Sequence, residues 1–194
     1  MARSLLEAAR RQADEDPVTG LKSRRYFETR IVREIESARR RGRALTIAMV
    51  DLDNFREINK RFRWTSADRA LQKFAQIARS RVREEDWVAR WGGEEFLLVM
   101  PGADLKTGCA VAERIHTEVE QCSVESIDRG PIKFTVSIGV ARLTGKTRGA
   151  FELIDKAAKA LGEAKSSGKN RIVAARDEGD DDDEGDDACE CIPA

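Results

Sequence analysis

The sequence predicts an α+β (mixed α/β) fold, a mostly antiparallel sheet with helices packed on it. Three observations carry this expectation. Stretches with apolar residues at steps of three and four alternate with short continuous apolar runs, the periods of amphipathic helices and buried strands. Two of the strand-like runs meet around a glycine pair, a dipeptide suited to the positive backbone dihedrals of a tight hairpin. With 194 residues, 41% apolar and 36% charged, the chain can form one domain that buries roughly two-thirds of its surface.

In chain order, Ser4 to Asp14 reads as a short helix, the end of a longer connecting one, and Asp16-Pro17 breaks it. After the turn at Thr19-Gly20, residues 22 to 42 place Phe27, Ile31, Ile35 and Ala38 on one helical face. Ala44 to Val50 reads as a buried strand whose end carries Asp51-Leu52-Asp53. Residues 66 to 82 return to helical spacing through Ala70, Leu71, Phe74, Ile77 and Ala78. Trp87 to Trp91 and Phe96 to Met100 are the two arms of the hairpin at Gly92-Gly93. A helix over 104 to 121, a strand over 133 to 142, a helix over 150 to 166 and a strand over 171 to 175 complete the series. No internal repeat is present. The organisation expected is a connecting or signalling helix over 1–15, one domain over 16–176 and a tail over 177–194.

Charge separates the tail from the body. Residues 177 to 194 hold ten acidic and no basic side chains, which leaves residues 1 to 176 with 35 basic against 25 acidic. The Asp180 to Asp187 run cannot bury apolar surface and is expected to be disordered. A basic body suits phosphate-bearing ligands. No aromatic-basic recognition motif accompanies it, so nucleic acid is not an expected partner. The longest apolar run, Leu45 to Val50 with Thr46 inside it, is far short of the ~20 residues that cross a bilayer, and no signal-like segment follows Met1. A cytoplasmic protein without a membrane segment is therefore expected. Cys109 and Cys122 fall in a helical stretch and Cys189 and Cys191 in the tail, with no spacing of a disulfide framework.

Acidic residues at strand ends are the first sign of chemistry. Asp51 and Asp53 follow an apolar strand, and Glu94 and Glu95 follow the hairpin glycines. A fold that pairs these strands brings the carboxylates together. Two carboxylates ~4 Å apart repel by roughly 4 kcal/mol at an effective dielectric near 20, so the group needs a cation or a raised pKa. Hard oxygen ligands point to Mg2+, with Mn2+ as a substitute, bound together with substrate phosphates. Taken alone, Asp53 reads more readily as a cap of the following turn, and Glu94 and Glu95 as solvated hairpin residues.

Five ordered blocks extend the reading. They are Asp16-Pro17-Val18-Thr19-Gly20-Leu21 with Arg24-Arg25-Tyr26-Phe27; Asp51-Leu52-Asp53-Asn54-Phe55-Arg56-Glu57-Ile58-Asn59; Arg90-Trp91-Gly92-Gly93-Glu94-Glu95-Phe96; Thr135-Val136-Ser137-Ile138-Gly139-Val140; and Ala164-Lys165-Ser166-Ser167-Gly168-Lys169-Asn170. From about Asp16 to Val173 the chain resembles the GGDEF diguanylate cyclases, a bacterial signal-transduction family. The resemblance implies a palm-like sheet of the nucleotidyl cyclase type and the joining of two GTP into cyclic di-GMP across a homodimer. It implies metal binding by Asp51, Glu94 and the Leu52 carbonyl, and help from Glu95 in deprotonating the attacking 3′-hydroxyl. Asn59 and Asp68 fall at the guanine-binding positions, Phe55 and Arg56 beside the phosphates, and Lys165 and Lys169 at the terminal phosphates. Arg83-Glu84-Glu85-Asp86, five residues before the hairpin glycines, matches the family's RxxD inhibitory product site, with Arg114 completing it. An upstream sensory or receiver domain is also implied.

The chain departs from the family pattern at Lys60, at Arg63-Trp64 and Ala67 beside the guanine positions, and at Ala158, Gly162 and Lys169 near the end. These leave the metal ligands intact and bear on substrate affinity. The alternative reading is therefore a catalytically degenerate domain that acts as a cyclic di-GMP receptor through Arg83 and Asp86. His116 is expected at a surface or interface, and Trp87 and Trp91 as packing residues beside the hairpin.

Overall fold

A computed structural model describes residues 14–62, 64–126 and 130–176. The expected helix before residue 14, Arg63, the acidic tail and Cys189/Cys191 lie outside the described residues. The elements are β1 (Lys22–Ser23), α1 (Arg24–Arg41), β2 (Leu45–Leu52), α2 (Phe55–Arg61), α3 (Trp64–Arg81), β3 (Trp87–Gly92), β4 (Glu95–Pro101), α4 (Leu105–Gln121), β5 (Val124–Glu125), β6 (Pro131–Ile132), β7 (Val136–Arg142), α5 (Ala150–Ser166) and β8 (Ile172–Ala174).

Six strands form the main sheet in the order β1-β3-β4-β2-β7-β8, and β5 and β6 form a separate ribbon. The three central pairings, β3–β4, β4–β2 and β2–β7, are antiparallel, and β1–β3 and β7–β8 at the edges are parallel. This is the mostly antiparallel sheet the sequence predicts.

Helices cover both faces, which is why β2 is buried at all eight positions and reads as a continuous apolar run. Successive strand side chains point to opposite faces. Ala48, Val50 and Leu52 pack with Phe74, Phe96 and Ile115 under α3 and α4. Leu45, Ile47 and Met49 pack with Phe27, Ile31, Leu153 and Leu161 under α1 and α5. Phe74 and Phe96, both fully buried, lie with ring centroids 4.4 Å apart. Two capping contacts fix helix starts: the Ser23 hydroxyl accepts from Tyr26 N–H at the head of α1, and Asp104 accepts from Thr107 N–H at the head of α4. Gly42, at φ 59°, closes α1.

Trp87 and Trp91 are packing residues, as expected. Trp87 meets Tyr26 at 5.5 Å and Trp91 meets Phe27 at 5.4 Å between centroids. His116, expected at a surface or interface, is half-buried, with Nε2 enclosed and without a hydrogen-bond partner in the structure; it lies one turn from buried Ala112 and Val119 on α4. Cys109 is buried, and Cys122 is half-buried and caps α4 rather than lying inside it.

Candidate active site

Asp51 stands where β2 reaches the edge of the core. Side-chain alternation puts it on the α5 side of the sheet with Met49. Its register partner on β4 is Glu95, which shares that face because directly paired residues do. The Leu52 N–H donates to the Glu94 carbonyl at 3.2 Å, so the hairpin turn is pinned beside Leu52. Glu94 and Glu95 are both half-buried.

Burial is the largest influence on the Asp51 carboxyl and raises its pKa. Lys165, in the last turn of α5, pulls it back through an ion pair with Nζ 2.8 Å from Asp51 Oδ2, and the charges of Glu94 and Glu95 push it up again. The balance lies above the ordinary carboxylate range. Asp51 thus sits among like charges and holds a cation, the lysine ammonium.

Among the described residues, no three His, Cys, Asp or Glu side chains stand close enough to hold a metal by themselves. Magnesium favours one or two carboxylates completed by waters and substrate phosphates over an all-protein cage. Asp51, Glu94 and the Leu52 carbonyl are a donor set of this kind. Lys165 on Asp51 occupies the charge that such an ion would neutralise.

The other residues that the family resemblance assigns to substrate lie on α2, on α3 and beyond α5. Phe55, buried, and Arg56, exposed, open α2, whose N-cap Asn54 is left-handed at φ 56°. Asn59, late in α2, and Asp68, early in α3, are both half-buried on successive helices. Lys169 lies beyond α5, with its Nζ 2.5 Å from Asn54 Oδ1.

The hairpin is anchored from a distant part of the chain. Arg90 donates through Nε at 3.0 Å and Nη2 at 2.7 Å to the Gly93 carbonyl, and through Nη1 at 3.1 Å to Asp16. Asp16 also accepts from the Thr19 N–H and hydroxyl. Burial raises its pKa, but the Thr19 hydrogen bonds and the Arg90 charge outweigh burial and leave it lowered.

Asp53, weighed from sequence as a turn cap, is 4% exposed and organises the site from beneath. It accepts from the Thr135 and Ser137 hydroxyls at 2.7 Å each and from the Asn170 N–H at 3.0 Å. Sequence reasoning missed this role and that of Asn170; the only trace was their place inside the quoted blocks.

The RxxD residues form a turn between α3 and β3. The Arg83 N–H donates to Asp86 Oδ2 at 3.0 Å and the Asp86 N–H to the Arg83 carbonyl at 3.2 Å. Burial raises the Asp86 pKa most, while the charges of both Arg83 and Arg114 lower it, which places Arg114 of α4 beside this turn. The guanidinium-bearing side chains of Arg83 and Arg114 are exposed. β3 carries this turn at one end and the Gly92-Gly93 hairpin at the other, about 17 Å apart along the strand.

Fold, strand-end carboxylates, glycine hairpin and helix-end lysines together define a palm-like domain of the nucleotidyl cyclase type. The chain belongs to the GGDEF family: the family model described as diguanylate cyclase, GGDEF domain, matches residues 13–171. It is 33% identical over 172 residues to diguanylate cyclase DgcP of Pseudomonas aeruginosa, a match covering 89% of this chain and 25% of that protein. The coiled coil and GGDEF domain of DgcB from Caulobacter crescentus, in complex with c-di-GMP, superposes with a TM-score of 0.85 at 26% identity, covering 90% of this chain and 92% of that one. The active GGEEF domain of a diguanylate cyclase from Vibrio cholerae superposes at 0.75 with 25% identity, covering 81% and 99%. This chain thus spans a quarter of the length of its Pseudomonas relative. No helix among the described residues is long and apolar enough to cross a membrane.

Proposed function

We propose that this domain joins two GTP into cyclic di-GMP across a homodimer, with magnesium, and that the product inhibits it at the Arg83–Asp86 turn. The observation that carries the reading is Asp51, a buried strand-end carboxylate crowded by Glu94 and Glu95 and held by Lys165. Magnesium, when bound, stabilises charge on the reacting phosphate and the attacking oxygen. Lys165 then turns from Asp51 to the terminal phosphates, joined by Lys169, and the backbone at Phe55-Arg56 lies along the phosphate chain. Asp68 accepts from the guanine ring N–H and amine, and Asn59 completes the base contact; adenine offers no such donor pair. Each 3′-oxygen bonds the α-phosphorus of the opposing nucleotide as diphosphate leaves, and Glu95 takes the hydroxyl proton. One site binds one GTP, so two protomers face each other.

The receptor reading keeps a specific observation of its own: the exposed Arg83 and Arg114 side chains stand beside Asp86, Arg83 in the turn before β3 and Arg114 on α4. Arginine forks suit phosphate oxygens and guanine edges. Incubating the protein with GTP and magnesium, and resolving products by chromatography, separates the two. Cyclic di-GMP is expected from the parent, with a loss on the order of a hundredfold or more in Glu94→Ala and greater accumulation in Arg83→Ala. A parent that binds cyclic di-GMP through Arg83 yet makes none overturns the cyclase reading.

A further inference from the structure

We propose that Glu120, on α4, is a positioning residue for the segment that carries Lys169. After α5 the backbone takes three successive positive φ values, 116° at Gly168, 65° at Lys169 and 47° at Asn170. Lys169 is an L residue in a region such side chains rarely adopt, and Asn170 is of a type that visits it more readily. Such a conformation persists only where the surroundings hold it.

The holding contacts run through Asn170. Its backbone N–H donates to Asp53, and beside it Lys169 reaches Asn54, so the segment is tied to the loop that follows β2. Its side-chain amide donates to Glu120 Oε1 at 2.7 Å, across to the helix that packs on the opposite face of the sheet from α5. The other side-chain atom, Oδ1, is buried with no hydrogen-bond partner in the structure. The orientation of the Asn170 amide therefore depends on the Glu120 carboxylate. Without that acceptor, the half-buried Asn170 side chain loses the hydrogen bond of its amide and the positive-φ pair loses a restraint. The segment then relaxes toward ordinary dihedrals, and Lys169 leaves Asn54. Glu120 touches no proposed substrate group and acts only through Asn170.

The backbone part of this proposal stands on geometry alone; its effect on nucleotide rests on the proposed function. Glu120→Ala and Glu120→Gln, in the full chain, separate the two. Amide hydrogen exchange of the unliganded protein is read by residue, and affinity is measured for a GTP analogue with a non-cleavable α,β-methylene bridge. In Glu120→Ala, exchange at Lys169 and Asn170 is expected to rise about tenfold with the rest of the domain unchanged, and the analogue to bind about five- to tenfold more weakly, one hydrogen bond to a charged group being at stake. Glu120→Gln keeps an oxygen acceptor and restores both to within about twofold. Under turnover, KM for GTP rises while kcat changes little. Unchanged exchange at 169–170, or faster exchange throughout the domain, overturns the positioning role. Local exchange that rises without weaker analogue binding overturns its link to phosphate. A parent that binds no analogue contradicts the proposed function, while the exchange result still decides the positioning.

Discussion

Arg90 divides one guanidinium between the turn that carries Glu94 and the loop at Asp16, the Arg90 and Asp16 side chains each only 16% exposed. A lysine cannot reproduce this fork. Arg90→Ala and Arg90→Lys are both expected to lower stability by about 1–3 kcal/mol in urea unfolding and to reduce cyclic di-GMP synthesis more than they weaken GTP binding. Asp16, its pKa held below the ordinary value, contributes stability that is present above the unfolded-state pKa and lost as pH falls through the folded one. Asp16→Asn should therefore flatten the acid side of a plot of urea midpoint against pH; an unchanged slope there would rule out the contribution. Asp51 has the opposite sign. The folded state binds its proton more tightly, so its contribution to stability declines as pH rises from the unfolded pKa through the raised folded one. Asp51 and Glu94 were legible in the sequence because each sits in a motif beside a strand or turn signal. The Asp16–Arg90 pair, 74 positions apart, was not. Nor was the Asp53 network, whose partners come from 82 to 117 positions away: its geometry exists only after β2, β7 and the segment beyond α5 have assembled.

At the scale of elements, α5 shows how one helix treats two glycines differently. A Cβ on Gly139 of β7 would come within 2.2 Å of the Ala157 carbonyl and 2.3 Å of the Leu161 nitrogen, both backbone atoms of α5. Gly139→Ala is expected to cost about 3 kcal/mol or more, because strand or helix must shift. Gly162, exposed inside α5 itself, has open space where a Cβ would go. Gly162→Ala should raise stability by about 1 kcal/mol through helix propensity, and thermal unfolding of the two variants should move Tm in opposite directions. Long elements were legible: α5 has the expected bounds, and β2 extends the expected strand by two residues, which takes in Asp51 and Leu52. Short ones were not. The seven-residue α2 begins at a left-handed Asn54 that makes no side-chain cap, and β1, β5 and β6 have two residues each, too few to display a period. The expected strand over 133 to 142 begins only at Val136, as β7; Lys133 to Thr135 lie between β6 and β7, and there the Thr135 hydroxyl donates to Asp53.

Across the whole molecule, the sheet places two differently charged sites at the ends of the same strands. One end gathers Asp51, Glu94 and Glu95 with two lysines, and the other gathers Arg83 and Arg114 around Asp86. The first carries the crowded carboxylates that the proposed magnesium would neutralise; the second carries guanidinium groups that suit an anion. Neither pairing could be read from net charge, which is zero for the chain. The central claim is that each site holds one GTP and that chemistry needs two sites facing each other. The most direct test is the initial rate of cyclic di-GMP formation over a protein series spanning about two orders of magnitude, at fixed magnesium and saturating GTP. The account predicts a rate per protomer that climbs with concentration to a plateau and vanishes in Glu94→Ala. A rate per protomer that stays constant while product forms, or no product at concentrations where the protein is dimeric and GTP is bound, would contradict it.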